Sequence, residues 1–214
     1  YITLAKAVAA MRSLLGEDAV RGRSFIQAHG SSTPQNRVTE SRIFDEVAKA
    51  FDIRGWPVTA IKAFVGHSLA PASADQLIST LGVFRHGILP GIKTTPAIAA
   101  DVHRERLDIV LKDTDLSERA DVGFLNSKGF GGNNATGAVL SPAVTQRMLV
   151  KRHGEAAIKA YLGRLETTRA AAAAWDEACC RAPLQPIYRF GDDLVDETQI
   201  AIDAHSLRLP GIAN

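Results

Sequence analysis

SFIQAHG at residues 24–30 and VTAIKAFVGH at residues 58–67 are two short apolar segments, and each brings a histidine next to a glycine at its end. Both contain β-branched and aromatic residues and close with a turn signal, so each is predicted to be a buried strand with a histidine at its carboxyl end. Ligands of open α/β sheets bind in the crevice beyond these ends. His29 and His67 are therefore candidate functional residues, although a single histidine at such a position is often only structural.

Helices and strands are predicted to alternate around these two segments. The predicted helices cover residues 2–15, 38–51 and a segment that ends at Gly87. The other predicted strands cover residues 107–112, 121–126 and 136–140. The predicted loops cover residues 30–36, 88–91 and 94–96. Alternation of this kind predicts an α/β fold.

The composition excludes several classes of protein. With 214 residues, 46% of them hydrophobic and 22% charged, the chain is large enough for one full domain and an appendage. The 25 Lys and Arg residues nearly balance the 23 Asp and Glu residues, so bulk nucleic-acid binding is not expected. We expect no membrane span and no signal peptide. The adjacent Cys179 and Cys180 are poorly placed to bridge each other, which favours a reducing cytoplasm.

The character of the sequence changes after residue 141. Residues 143–181 are predicted to be helical, with Gly154 and Gly163 as candidate breaks, and residues 187–190 are predicted to form a strand. We therefore expect one domain over residues 1–141 and a mainly helical extension over 142–214.

Several motifs carry a family resemblance. They are HGSSTP at residues 29–34 with Glu40 beyond it, Lys62 followed by Gly66-His67, and GFGGNN at residues 129–134. In this order and spacing, the motifs resemble the carboxyl-terminal half of a β-ketoacyl-acyl carrier protein synthase of the Cys-His-His type. The resemblance covers residues 1 to about 141 and implies a thiolase-like, layered α-β-α-β-α fold.

This chain departs from the family pattern in three places. No acidic residue follows the first histidine motif at Asn36 or Arg37, and Ala63 stands where serine is common beside the lysine. Lys128 replaces an aromatic residue before the Gly-Phe turn. These departures concern the acyl-chain specificity and the gate of the acyl pocket rather than the two histidines.

The resemblance implies a decarboxylative Claisen condensation in fatty-acid synthesis. His29 and His67 would donate hydrogen bonds from neutral rings to the malonyl thioester oxygen and stabilise the enolate. The Phe130 backbone N–H would form a second oxyanion hole with the N–H of a cysteine nucleophile, and the Phe130 ring would gate the acyl pocket. From the residues alone, Phe130 is equally well explained as a core residue in a glycine-rich turn.

The resemblance also assigns supporting roles. Ser31 and Thr33 would bind the phosphopantetheine arm, and Lys62 and Glu40 would form a charged pair that supports the histidines. Without the resemblance, the two hydroxyls are explained as turn caps, and the charged residues as an ordinary ion pair of little energetic value.

The same resemblance implies partners that this chain does not contain. It implies an acyl carrier protein as the substrate carrier, no permanent cofactor and no metal, and a homodimer of the complete enzyme. Cys179 and Cys180 lie in the predicted helical extension, so we expect the nucleophile in an amino-terminal half outside this sequence, whose first residue, Tyr1, is not a methionine. Without that half, a sheet face and a helix that it normally covers would be exposed.

Three alternatives stay open at this point. The chain could be a non-catalytic ketosynthase-like subunit that pairs with an active partner, although retention of both histidines speaks against it. A metal hydrolase using His29 and His67 lacks a ligand pair at short spacing. The extension could wrap a dimer, cover the site or dock a carrier protein, and the basic residues Arg147, Lys151, Arg152 and His153 fit either docking or a solvated helix face.

Overall fold

The structure is a computed structural model, and it describes residues 1–117, 120–181, 191 and 194–211; the side chain of Phe130 is also outside the description. It divides into two compact units, residues 1–155 and 156–214. The helices are α1 (Ile2–Leu15), α2 (Glu17–Gly22), α3 (Pro34–Ala50), α4 (Lys62–Val65), α5 (Ala72–His86), α6 (Pro142–His153) and α7 (Glu155–Arg181). The strands are β1 (Ser24–Gln27), β2 (Trp56–Thr59), β3 (Ile88–Leu89), β4 (Leu107–Ile109), β5 (Thr114–Asp115), β6 (Val122–Lys128), β7 (Asn134–Leu140), β8 (Ala201–Ile202) and β9 (Leu207–Arg208).

A five-stranded sheet organises the first unit, in the order β4-β2-β1-β6-β7. The first four strands are parallel, and β7 pairs antiparallel with β6 at one edge. The carboxyl ends of β1, β2 and β6 therefore meet at one edge of the sheet. The residues that follow β1 and β2 and the end of β6 form the candidate site at that edge.

Both faces of the sheet are covered, and the strand β1 shows how. All four of its residues are buried, and alternate side chains point to opposite faces. Ile26 packs with Leu4 of α1 and Phe44 of α3 in one apolar cluster. Phe25 packs with Val83 of α5 in a second cluster. The result is a helix layer, a mixed sheet and a second helix layer.

The largest difference from the sequence prediction concerns residues 58–67. The predicted strand stops at Thr59, and residues 62–65 form one turn of helix, α4. Phe64 and Val65 are 48% and 57% exposed, so they are not in the sheet. A continuous apolar run cannot distinguish a strand from a helical turn by periodicity, and this run contains both. His67 therefore follows a helix, not a strand.

The boundaries of α3 also differ from the prediction. The loop expected at 30–36 ends at Thr33, because the Thr33 side chain accepts a hydrogen bond from the Asn36 N–H and Pro34 occupies the first helical turn. A hydroxyl cap followed by proline is a helix-start signal, and its use would have placed the helix correctly. The predicted helix at 2–15 is confirmed, as is the helix that ends at Gly87.

Two short elements escaped the sequence analysis. The helix α2 was not expected, and Ile88–Leu89, predicted as loop, pairs antiparallel with Thr114–Asp115. The strand predicted at 107–112 is only Leu107–Ile109. Strands this short contain too few residues for a periodic pattern.

The region after residue 141 is helical up to Arg181, as predicted. Gly154 separates α6 from α7, whereas Gly163 lies inside α7 without interrupting it. The strand predicted at 187–190 lies outside the described residues. The second unit contains most of α7 and the hairpin of β8 and β9. The domain boundary predicted at residue 141 stays a prediction.

Among the described residues, no helix combines the length and apolar character that crossing a membrane requires.

Candidate active site

His29 is the second residue after β1, and its backbone is fixed by hydrogen bonds. Its N–H donates to Glu40 Oε1 at 2.8 Å, and the Gly30 N–H donates to Glu40 Oε2 at 3.0 Å. Gly30 has a φ of +55°, and a Cβ atom there would lie 2.7 Å from the Ala60 Cβ, so glycine is required. The His29 side chain is buried at the carboxyl edge of the sheet, as the sequence predicts.

His67 reaches the same place by a different route. Its neighbour Gly66 ends α4 with a φ of 73°, and the chain turns back toward β1. The centroids of the His29 and His67 rings are 5.2 Å apart, with an angle of 79° between the ring planes. His67 is exposed, whereas His29 is buried. The two histidines that the sequence singles out are thus direct neighbours.

The hydrogen bonds of the two rings determine which nitrogen carries the proton. The Lys128 backbone N–H donates to His29 Nδ1 at 3.3 Å, and the Leu69 N–H donates to His67 Nδ1 at 3.0 Å. A backbone N–H can only donate, so each Nδ1 must be the acceptor nitrogen of a neutral ring. Both rings therefore carry their proton on Nε2, which can donate to a ligand.

Lys62 stands directly behind His29. Its Nζ donates to the His29 carbonyl oxygen at 2.5 Å and lies 3.2 Å from His29 Nδ1. Burial lowers the pKa of Lys62, and the Glu40 and Asp75 carboxylates oppose that shift. The ammonium is a second donor that faces the acceptor nitrogen of His29.

Several groups together hold His29 in its neutral form. Burial is the largest cause that lowers the pKa of His29 below its usual value of 6.5, and the positive charge of Lys62 is the next. The Glu40 carboxylate raises that pKa, while His67 and Lys128 lower it further. The net direction is downward, so the His29 ring is neutral at pH values near 7.

Glu40 is the centre of the hydrogen-bond network behind the site. Besides the His29 and Gly30 N–H groups, it accepts from Asn36 Nδ2 at 3.0 Å and from Asn126 Nδ2 at 2.7 Å. Its four donors come from the loop after β1, from α3 and from β6. Glu40 and Lys62 form no direct ion pair among the described residues, so the predicted charged pair acts only at a distance.

A cleft of about 540 Å³ opens in front of the two histidines. Four of the predicted site residues line this cleft, together with residues that the sequence analysis did not assign to the site. The lining residues are His29, Ser31, Thr33, Asn36, His67, Leu69, Ala70, Lys128 and Gly129.

The two hydroxyl residues of this cleft have local structural contacts. Thr33 caps α3, and its hydroxyl lies 3.5 Å from that of Ser31. The Thr33 hydroxyl oxygen therefore caps the helix, as the simpler explanation of this residue predicts. Because both residues also line the cleft, capping does not exclude contact with a ligand.

Phe130 begins a tight turn between β6 and β7. Residues Phe130–Gly132 form one turn of 3-10 helix, and Gly131 and Gly132 have φ values of 76° and 82°. The Gly129 N–H donates to the Asn133 carbonyl oxygen at 2.8 Å and closes this turn. The ring of Phe130 lies outside the described part of the structure. The role predicted for its backbone N–H, in a second oxyanion hole, depends on the turn.

Sequence reasoning missed three residues that shape the site. Asn126 and Asn36 hold Glu40, and Gln76 Nε2 donates to the carbonyl oxygens of Ala28 at 2.8 Å and Asn126 at 3.0 Å. Asn126 and Gln76 are 5% and 0% exposed. A polar amide within an apolar strand or helix face must find partners, and that mismatch was the available signal.

Within the described residues, no three His, Cys, Asp or Glu side chains come together in a way that could hold a metal ion. The two cysteines, Cys179 and Cys180, are free thiols near the last turn of α7.

Comparison with known families identifies the class of protein. Residues 3–95 match the family model described as beta-ketoacyl synthase, C-terminal domain. The chain carries the C-terminal domain of a β-ketoacyl synthase, and the resemblance found in the motifs is confirmed.

A particular relative extends this similarity to the whole chain. The chain is 57% identical over 213 residues to β-ketoacyl-[acyl-carrier-protein] synthase FabY of Pseudomonas aeruginosa, and the alignment covers 100% of this chain and 34% of FabY. It is 37% identical over 113 residues to 3-oxoacyl-[acyl-carrier-protein] synthase 1 of Escherichia coli, covering 52% of this chain and 26% of that protein. The chain thus spans about a third or less of these relatives.

Solved structures support the same fold. The crystal structure of the ketosynthase FabY from P. aeruginosa superposes with a TM-score of 0.91 over 100% of this chain and 34% of that one, at 57% sequence identity. A β-ketoacyl synthase from Burkholderia phymatum superposes with a TM-score of 0.51 over 65% of this chain and 32% of that one, at 22% identity. The predicted fold class, α/β and thiolase-like, is confirmed.

Proposed function

We propose that the complete protein is a β-ketoacyl-acyl carrier protein synthase of fatty-acid synthesis. It condenses malonyl-acyl carrier protein with an acyl thioester, and this chain supplies the decarboxylating half of its active site. One observation carries the proposal. Two adjacent histidines accept at Nδ1 and so present two Nε2–H donors to one cleft.

The two donors suit the chemistry of decarboxylation. When the bond between the malonyl carbon and its carboxylate breaks, CO₂ leaves and the electron pair passes into an enolate, whose negative charge develops on the thioester oxygen. His29 and His67 donate to that oxygen from neutral rings, and the lowered pKa of His29 keeps its ring neutral. The enolate carbon then attacks the acyl carbonyl, and the acyl group leaves its cysteine thiolate.

The turn that begins at Phe130 supplies the second oxyanion hole in this proposal. The tetrahedral intermediate at the acyl carbonyl accepts from the Phe130 N–H and from the N–H of the nucleophilic cysteine. That cysteine belongs to an amino-terminal portion outside this chain. Cys179 and Cys180 lie near the carboxyl end of a helix, where the helix dipole does not favour a thiolate.

In this proposal the substrate is attached to the phosphopantetheine arm of a carrier protein, and the entrance to the cleft suits this arm. Ser31 and Thr33 line the cleft in front of the histidines, where their hydroxyls reach the phosphopantetheine arm of an acyl carrier protein. No permanent cofactor is needed for these steps. Arg147, Lys151 and Arg152 on the exposed side of α6 are the candidate contacts for an acidic carrier protein.

The amino-terminal portion has a surface to cover, which we call the α5 face. This surface is formed by exposed apolar residues of α4, of α5 and of the segments that flank them. Its members are Phe64, Val65, Leu69, Leu77, Ile78, Leu81 and Ile88, between 38% and 69% exposed. Three of them, Val65, Ile78 and Ile88, line one shallow cleft, and a group of exposed apolar side chains of this kind favours a protein interface. The complete enzyme is proposed to be a cytoplasmic homodimer.

Two half-reactions of the full-length protein test this function. His67→Ala in the full-length protein is expected to reduce malonyl-carrier protein decarboxylation about 100-fold or more, because one oxyanion donor is lost. Acyl transfer to the cysteine, which precedes decarboxylation, is expected to stay within about twofold of the unsubstituted protein. Radiolabelled CO₂ release and acyl-enzyme formation measure the two steps.

The matched control is His103→Ala, an exposed histidine outside the cleft, which is expected to leave both steps unchanged. A full-length protein that neither forms an acyl-enzyme nor releases CO₂ would instead be a non-catalytic subunit. Equal loss of both steps in His67→Ala would contradict the role given to this histidine.

A further inference from the structure

Lys128 is a positively charged residue in the cleft that the mechanism above does not use. It is the last residue of β6 and lines the cleft together with His29 and His67. Its backbone N–H is occupied by His29 Nδ1. Across the described residues, its ammonium has no hydrogen-bond or ion-pair partner. By contrast, the Lys62 ammonium is held by the His29 carbonyl oxygen.

An unpaired ammonium in a partly enclosed cleft favours an anionic ligand. Lys128 is partly buried, so its attraction to an anion is screened less than that of a fully exposed lysine. The charge also acts on the neighbouring ring, since it is one of the groups that lower the pKa of His29. The cleft is therefore electropositive next to the two imidazole donors.

The substrate of the proposed reaction carries two anionic groups at very different places. The malonyl carboxylate is separated from the thioester carbonyl by a single carbon, whereas the phosphodiester stands at the far end of the pantetheine arm. The Lys128 backbone is in hydrogen-bond contact with the ring of His29, which binds the thioester oxygen in the proposed mechanism. The Lys128 side chain therefore starts close to the carboxylate and far from the phosphodiester.

We propose that Lys128 binds the carboxylate of the malonyl group before it leaves as CO₂, an assignment that rests on the proposed function. The contact exists in the bound substrate and is lost as the carboxylate becomes neutral CO₂. An interaction stronger in the ground state than in the transition state tightens binding without raising kcat. Lys128 is thus a specificity-determining residue that selects malonyl over uncharged acyl groups at the decarboxylation site.

Steady-state kinetics of the full-length protein test this assignment. Lys128→Met keeps the backbone N–H that orients His29 and removes only the charge. Its KM for malonyl-carrier protein is expected to rise about tenfold, the change typical of one charge-assisted hydrogen bond, with kcat equal or higher. Measurement at about pH 8 keeps His29 neutral in each variant. Lys128→Arg is expected to recover most of the affinity, because it keeps the charge.

The controls separate the carboxylate from other causes. Lys49→Met removes an exposed lysine of α3 outside the cleft and is expected to change neither constant. The acyl thioester of the carrier protein, which acylates the cysteine, has the phosphodiester but no carboxylate. Its KM in cysteine acylation is expected to stay the same in Lys128→Met.

Two results would overturn the assignment while leaving the proposed function in place. One is an unchanged KM for malonyl-carrier protein in Lys128→Met. The other is an equal rise in KM for both thioesters, which would place Lys128 at the phosphodiester. Absence of decarboxylation by the unsubstituted protein would overturn the proposed function, and the assignment with it.

Discussion

At the scale of single residues, the site depends on hydrogen-bond donors to the Nδ1 atoms of the two histidines. Both Nδ1 atoms accept from backbone N–H groups, those of Leu69 and Lys128. A backbone donor is insensitive to substitution of its own side chain, so Lys128 can differ from the family pattern while His29 keeps its tautomer. The motifs thus specify the two histidines, whereas backbone N–H groups from other residues specify which ring nitrogen carries the proton.

A pH dependence follows from the environment of His29. Because burial, followed by the charge of Lys62, lowers the pKa of His29, the midpoint of its protonation lies below pH 6.5. The decarboxylation rate is expected to fall toward acid along a titration curve whose midpoint lies below pH 6.5. Stopped-flow CO₂ release across this range measures it. In Lys62→Met the decrease is expected at a higher pH, since one cause of the lowered pKa is removed. An acid limb centred above 6.5 in the unsubstituted protein would contradict the assignment.

The same shift predicts how stability changes with pH. The unfolded state has the higher histidine pKa, so it binds more protons than the folded state as the pH falls through 6.5. The contribution of neutral His29 to the free energy of unfolding is therefore present at neutral pH and decreases toward acid. The decrease in activity and this loss of stability have one cause, which is protonation of a buried ring that faces two donors.

Among the secondary-structure elements, α3 determines where the histidine loop lies. Glu40 projects from this helix and accepts hydrogen bonds from the loop after β1 and from Asn126 of β6. The helix start is fixed by the Thr33 cap, which places Glu40 two turns further along. A helix that began later would not offer its carboxylate to the same backbone groups. The Thr33 cap and the Glu40 carboxylate therefore act together to position the loop that contains His29.

Replacement of this carboxylate tests the role of α3. Glu40→Gln is expected to lower the free energy of unfolding by about 3 kcal/mol, because the amide NH₂ replaces one of the two acceptor oxygens and leaves the two N–H donors of that oxygen without an acceptor. Urea denaturation measures the change. Glu46→Gln on the same helix is the matched control, and its exposed side chain is expected to shift stability by less than about 0.5 kcal/mol. Equal effects of the two variants would show that the network around Glu40 contributes little.

The short helix α4 shows what pattern alone cannot resolve. Its residues belong to an apolar run, and two of them, Phe64 and Val65, are on the surface of this chain. In the proposed function their apolar character is explained by burial of the α5 face, not by the sheet. The sequence therefore contained the correct information that these residues need burial, but not which partner provides it.

At the scale of the whole molecule, the two sides of the sheet differ in how completely they are covered. The side of α1 and α3 is closed over Leu4, Val8 and Phe44, which are at most 1% exposed. On the other side α5 covers the sheet but leaves the α5 face open. These exposed apolar side chains are consistent with the proposal that the amino-terminal portion covers the α5 face.

A charge placed in the α5 face tests whether it is an interface. Ile78→Lys, at a side chain that is 69% exposed, is expected to reduce self-association of this chain in sedimentation velocity. In the full-length protein it is expected to lower the free energy of unfolding by about 2 kcal/mol, since a buried isoleucine is lost there. Ile202→Lys, at a side chain that is 76% exposed in β8, is the control and is expected to change neither. No difference between the two variants would remove the α5 face as an interface.

The sequence by itself determined the elements whose signals are local, together with the order of the motifs. Helices α1 and α5 were predicted because each has an apolar stripe that ends at a glycine, and β1 because it is short, apolar and followed by a turn. The histidines, the hydroxyls of the cleft and the family were likewise present in the order of residues. Local propensity and spacing depend only on neighbours along the chain.

Only the tertiary structure decided the chemistry of those residues. The contact between Asn126 and Glu40 joins positions 86 residues apart, and the hydrogen bond from Lys128 to His29 joins positions 99 apart. Such contacts form because parallel strands bring their carboxyl ends to one edge, a result of packing that no local pattern encodes. The tautomer of His29, the role of Glu40 as a shared acceptor and the unpaired charge of Lys128 follow from that edge.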